Sequence, residues 1–203
     1  MRRRAPRFEL VGGAVCLDFV NTMDDRSSDN PKELLKDYVD LARFAEDTGI
    51  LPTNHVDRLF SLSQRAPQEA QKVLKAAVEF REALFQVFEA IVGKKTIPAG
   101  ALYQVNSFIQ EAAQHASLAP VKGGFAWRFE GGPDNLDAPL WGIARSVAEL
   151  LTSDKLKFLH TCASPTCEWF FVDMSKNHQR RWCDMKQCGN RAKVRRFYKR
   201  SRR

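Results

Sequence analysis

A mainly α chain with a small β component (α+β) is what the sequence predicts, and three observations predict it. Apolar residues recur at helical spacing over long segments, most clearly Val73, Ala77, Phe80, Leu84, Val87 and Ile91 beside Leu74, Val78, Phe85 and Phe88. Four of the five cysteines fall late in the chain as two equal pairs, CASPTC at 162–167 and CDMKQC at 183–188, a C-x4-C-x15-C-x4-C pattern. Charge is segregated as well. Residues 155–203 hold fourteen Lys and Arg against Glu168, Asp173 and Asp184, a net +11, which leaves the preceding 154 residues at −3 in a chain of +8. Together these features divide the 203 residues into a helical N-terminal domain, 1–155, and a C-terminal treble-clef-like zinc finger, 156–203.

Each element has a local reason. A strand is expected at Phe8–Val11, followed by Gly12, Gly13 and the apolar stretch AVCLDFVNT, which ends in polar Asp18, Asn21 and Thr22. Asn30 and Pro31 read as an N-cap and first-turn pair for a helix that carries Leu34, Leu35, Tyr38, Leu41, Phe44 and Ala45 to Gly49. A second helix starts near Thr53 or Asn54, a third runs from about Pro67 to Val92, and a fourth occupies about Pro98 to Ala116. The third has so broad an apolar surface that it belongs at the centre of a bundle or in an oligomer contact. Residues 121–132, VKGGFAWRFEGG, alternate as a short hairpin does. From Pro139 a further amphipathic helix, continued by a short turn capped at Ser153 or Asp154, leads without a Gly/Ser/Pro linker into Cys162, so the basic end is expected to be docked.

The cysteines carry the chemistry. Two pairs at one close spacing, separated by a short connector, can set Cys162, Cys167, Cys183 and Cys188 tetrahedrally around a single structural Zn²⁺. A segment of about fifty residues is too small for an independent core and needs a metal or crosslinks. Disulfides are the weaker reading in a reducing compartment, and redox sensing is the competing use of such thiols. Between the pairs, WFFVD, SKNHQ and RRWC read as strand, turn and strand, and the residues after Cys188 contain no helix breaker beyond Gly189. His160 and His178 lie near the ligands, but four cysteines already complete the shell. Trp169 and Trp182 are read as packing the small core of the finger.

CGNR at 188–191, preceded by WFFVDMSKNHQRRWC, resembles the CGNR zinc-finger family, and LVGGAVCLDFVNT resembles the opening of the ABATE domain that accompanies this finger. The resemblance covers nearly the whole chain and rests on Cys162, Cys167, Cys183, Cys188, Gly189, Asn190 and Arg191. It implies a bacterial stress-induced transcription regulator, with DNA binding assigned to the finger.

The residues themselves supply nucleic-acid chemistry. Arg191, Arg195, Tyr198 and Arg202 follow one face of the terminal helix, Lys193, Arg196, Lys199, Arg200 and Arg203 broaden the charge, and Arg180 and Arg181 add to the same end. Guanidinium groups bind phosphates bidentately and read guanine edges, and a helix fits the major groove. The plainer alternative is a solvated basic face, with Arg191 bonded to the finger's own carbonyls or to Asp173. Phe197 is expected to pack inward with Val194. DNA is preferred over RNA only through the resemblance.

Asp18, Asn21 and Thr22, with Arg26, are candidate lining of a small-molecule effector pocket; the alternative is that they cap a turn or satisfy buried backbone. Cys16 reads as a core thiol. The functional expectation is a transcription regulator whose body senses a ligand or forms a homodimer. An RNA-binding or protein-interaction adaptor is the alternative. No P-loop, nucleotide-binding glycine motif or Ser/His/Asp signature supports an enzyme. The opening MRRRAPRFEL imitates a signal peptide, yet Glu9 and Asp18 confine the apolar run to residues 10–17. No small-residue cleavage site follows, and no stretch approaches the length needed to span a bilayer, so a cytoplasmic protein is expected.

Overall fold

The computed structural model describes residues 8–131 and 134–201, with the side chains of Arg196, Lys199, Arg200 and Ser201 excepted. The element order is α1 (Val15–Val20), β1 (Met23–Asp24), β2 (Lys32–Glu33), α2 (Tyr38–Asp47), α3 (Thr53–Arg65), α4 (Pro67–Val92), α5 (Ala99–His115), β3 (Ala116–Val121), β4 (Gly124–Phe129), α6 (Ala138–Leu151), β5 (Leu159–Thr161), β6 (Phe170–Val172) and α7 (Asn190–Ser201). Three separate two-stranded antiparallel sheets, β1–β2, β3–β4 and β5–β6, make up the β component. No helix among the described residues is long and apolar enough to cross a membrane.

The 26-residue α4 is the axis of the body. Ala77, Phe80, Leu84, Val87 and Phe88 are buried, and the core they share takes in Phe19 of α1, Phe44 of α2, Val105 of α5 and Val147 of α6. Of the two readings of its broad apolar face, the centre of a bundle is the one observed. Its second stripe is used differently: Phe85 and Phe88 reach out to Phe170 of β6, at ring-centroid distances of 5.5 and 5.7 Å. The body core therefore continues into the finger. Cys16 is a buried core thiol that burial pushes up to about 12, far from the reactive range.

Several expectations are corrected by long-range pairing. Residues 9–11 join no strand. The first long helix begins at Tyr38, capped by the Asp37 carboxylate on the Asp40 N–H, rather than at Asn30. The residues after Pro31 are drawn instead into the β1–β2 ribbon, where Glu33 ion-pairs with Arg81 of α4. The 121–132 hairpin is displaced and longer, pairing 116–121 with 124–129 around Lys122 and Gly123. No helix runs on to Cys162: α6 stops at Leu151, a 3-10 turn spans Asp154–Phe158, and β5 follows. The partner of β6 is β5 and not the RRW segment, because Leu159 and Thr161 supply the ladder next to the first ligand. Phe197 and Val194 are exposed rather than packed inward.

Candidate functional site

Each cysteine pair is set by a tight turn. After β5, the Cys162 N–H donates to Trp169 C=O at 2.8 Å and the Cys167 N–H to Ser164 C=O at 3.2 Å, so the chain doubles back on itself between the two thiols. Glu168, immediately after, takes a left-handed φ of 53° to redirect the chain into β6. On the second side, the Asp184 carboxylate caps a π-helical turn, Met185–Gly189, through the N–H groups of Lys186 and Gln187. That turn carries Cys188 and runs straight into α7. The Asn190 side chain closes it by donating to Lys186 C=O at 2.9 Å. Arg191 points its guanidinium at the Cys188 sulfur, 3.8 Å away. The CGNR tetrad is thus a ligand, a tight turn, a cap and a cation facing a thiol.

The four Sγ atoms lie within 4.8 Å of one another, and all four residues are buried. Cys167 and Cys183 are 3.6 Å apart and Cys183 and Cys188 3.7 Å, with no disulfide among them. A disulfide needs about 2.05 Å. A tetrahedron with metal–sulfur bonds of about 2.3 Å has edges of about 3.8 Å, which these separations match. The proton distribution fits the same purpose. Hydrogen bonds from Cys167 and Cys183 hold Cys162 far below an ordinary thiol, while donating to it, together with burial, pushes those two donors up. A soft divalent cation that enters must displace these protons, so metal affinity falls as pH falls. Trp169 and Phe171 are buried against the cysteines, with Trp182 packed beside them.

Arg180, a predicted phosphate contact, is turned into the finger. Its guanidinium donates to the carbonyls of Trp182, Cys183 and Val11 and lies 4.5 Å over the Phe171 ring. Asp173, not Arg191, organises the connector. Its buried carboxylate accepts the N–H groups of Ser175 and Arg180 at 2.9 and 2.7 Å, and these outweigh burial to hold it down to about 2. The sequence signal for this role was that Asp173 is one of only three acids in a segment of net +11. Arg181, Arg191, Lys193 and Arg195 are exposed, with Arg195 donating to Ser164 at 3.2 Å. The side chains of Arg196 and Lys199, and the whole of Arg202, lie outside the described residues. Phe197 and Tyr198 stand exposed together on α7, their rings 5.8 Å apart.

Asp18, Asn21 and Thr22 are buried and bonded within the chain. Asn21 spans the joint: its Nδ2 donates to Phe170 C=O at 3.0 Å and its Oδ1 accepts the Phe170 N–H at 2.9 Å. Val172 donates to Gly12 C=O at 2.8 Å, so the open edge of β6 is closed by the body. The Thr22 hydroxyl donates to Phe19 C=O and accepts from Arg81, which in turn clamps Glu33 with two bonds of 2.7 Å. Arg26 pairs with Glu82 and lies 4.0 Å over Phe85.

Asp18 accepts the Gly12 N–H at 2.7 Å, and a Cβ at Gly12 would come within 2.8 Å of Leu17 Cβ, which is why a glycine stands there. Burial raises the Asp18 carboxyl to about 6. The native state then holds a proton that the unfolded chain has released above pH 4, so this group's contribution to stability is lost as pH rises from about 4 through 6. Asp18→Asn is expected to gain on the wild type by up to about 2–3 kcal/mol over that window. Chemical denaturation of both proteins at pH 4 and pH 7 checks it; a difference that does not change with pH contradicts the assignment.

Two family models match this architecture. Residues 13–154 match ABATE, described as "Putative stress-induced transcription regulator", and residues 159–201 match the CGNR zinc finger. No curated protein matches the chain. The chain belongs to the ABATE family and carries a metal-binding CGNR zinc finger after that domain.

Proposed function

We propose that the protein is a zinc-dependent, DNA-binding transcription regulator, in which one structural Zn²⁺ per chain holds the finger and the finger offers α7 to DNA. The observation that carries this reading is the seating of α7. The helix is fastened through Asn190, Arg191 and Arg195, while Lys193 and Val194 between these anchors and Phe197 and Tyr198 after them are exposed. A cationic helix fastened through its first half, with exposed side chains between and after the anchors, has the form of a groove reader. The segment keeps a net charge of about +9 when zinc and four thiolates are counted. The body, residues 1–155, is assigned the regulatory input. No catalytic step is assigned, since zinc held by four thiolates has no open coordination position. A cytoplasmic location follows from the same reading.

Salt dependence tests the interface. Each neutralised phosphate contributes about −0.9 to the slope of log affinity against log salt for duplex DNA. Replacing Arg181 and Lys193 together with Ala is expected to flatten that slope by about 1–2. Arg180→Ala is expected to cost finger stability instead. Equal slopes for wild type and the double variant would contradict the interface. The exposed Phe197–Tyr198 pair favours one second reading, stacking on unpaired bases of RNA. Tighter binding to single-stranded RNA than to duplex DNA, lost in Phe197→Ala/Tyr198→Ala, would establish that reading in place of the first.

A further inference from the structure

The β3–β4 hairpin leaves its chemistry unused by the body. Its register puts Ala116, Leu118 and Pro120 opposite Phe129, Trp127 and Phe125, so one face is entirely apolar. At the base this face meets the body, where Phe129 packs on Trp141 at 6.0 Å and Arg145 lies 5.2 Å from the Trp127 ring. Farther out, Leu118, Trp127 and Phe125 are 60%, 49% and 72% exposed. The edges are also distinguishable. Glu130 N–H donates to His115 C=O, which makes 117/128, 119/126 and 121/124 the mutually bonded pairs. The N–H and C=O groups of Phe125, Trp127 and Phe129 therefore point away from β3, and among the described residues no third strand meets them. On β3 the equivalent outward position nearest the turn is Pro120, which has no N–H to offer. One edge is guarded and the other is not.

We propose that β4 is the surface through which two copies of this chain associate, the hairpins joining across a two-fold axis into one four-stranded antiparallel sheet. A second copy fits because the edge is complementary to itself. Antiparallel β4 against β4, centred on Trp127, sets outward donors opposite outward acceptors and brings Phe125 of each copy opposite Phe129 of the other. The two apolar faces then form one continuous surface. The only charges in residues 116–129 are Lys122, in the turn, and Arg128, on the other face; the cation of the body beside this strand, Arg145 at the Trp127 ring, is paired with Glu149. The exposed apolar surface of Leu118, Phe125 and Trp127 comes to about 400 Å² per copy. Pairing at the β4 edge covers the strand backbones and the near flanks of Phe125, Trp127 and Phe129 and leaves Leu118, on β3, outside the contact, so the interface is small and fits a reversible dimer in the micromolar range.

Sedimentation velocity of the full-length, zinc-bound chain without nucleic acid tests this independently of the DNA reading. A monomer–dimer equilibrium is expected between about 1 and 200 µM. Phe125→Lys/Trp127→Lys should weaken it at least tenfold, with helical circular dichroism and zinc content unchanged. Phe125→Ser alone should weaken it less, and Arg128→Glu should leave it within twofold. A chain that stays monomeric throughout, or a dimer that survives Phe125→Lys/Trp127→Lys, would overturn the proposal and assign the hairpin face to a different partner or to none.

Discussion

Cys183→Ser is expected to abolish metal retention and unfold the finger while the helices of the body persist. Cys183 is the central sulfur of the cluster, 3.6 Å from Cys167 and 3.7 Å from Cys188, so its loss removes one ligand and the thiol that connects the two pairs. Structural zinc supplies about 10–16 kcal/mol of apparent folding free energy at neutral pH in small fingers, far more than Trp169, Phe171 and Trp182 could supply by burial alone. The body should survive because its core, from Phe19 through Phe80 to Val147, does not include the cysteine cluster. Elemental analysis of protein purified without added metal checks the first part, and circular dichroism with limited proteolysis the second. A metal-free wild type whose C-terminal segment nonetheless resists protease would sink the assignment.

Asn21→Ala is expected to cost about 4 kcal/mol, because it leaves both the N–H and the C=O of Phe170 buried without a partner. The carboxamide acts as one residue of a third strand, completing the edge of β6. The effect should concentrate at the joint. Amide hydrogen exchange is expected to accelerate first in β6 and in residues 8–13, where Val172 meets Gly12 and Arg180 meets Val11. Urea denaturation measures the total and exchange locates it. A loss below about 1 kcal/mol, or one spread evenly over the body, would mean that Asn21 does not join the two parts.

The two parts of the molecule differ in how far the sequence reveals them. Metal ligation was legible because the spacing is local: four residues separate the members of each pair, and a knuckle or a helical turn is enough to bring them together. α4 and α6 were legible from periodicity, since burial on one face repeats every turn. The failures come from pairing between residues distant in sequence. Nothing near Asn30 and Pro31 reveals that Glu33 is bound to Arg81, and so the N-cap signal there was overridden. WFFVD looked like half of a local hairpin, but its ladder partner had already passed at Leu159–Thr161. Arg180 counted as surface charge until three carbonyls were seen to hold it. Asn21 and Asp18 were noticed as polar groups ending an apolar run, yet only the fold shows that one faces Phe170 and the other Gly12.

Selection of duplexes from a random DNA pool, run in parallel with wild type and Cys183→Ser, tests most directly whether a zinc-shaped finger presents α7 to DNA. An unfolded segment of net +11 would still bind phosphate nonspecifically. The folded finger alone should hold Arg191, Lys193 and Arg195 in fixed register and so distinguish sequences. The account predicts that wild type enriches a defined motif and that Cys183→Ser recovers DNA without one. Recovery of the same sequences by both proteins, or no enrichment by the zinc-bound wild type, would contradict it.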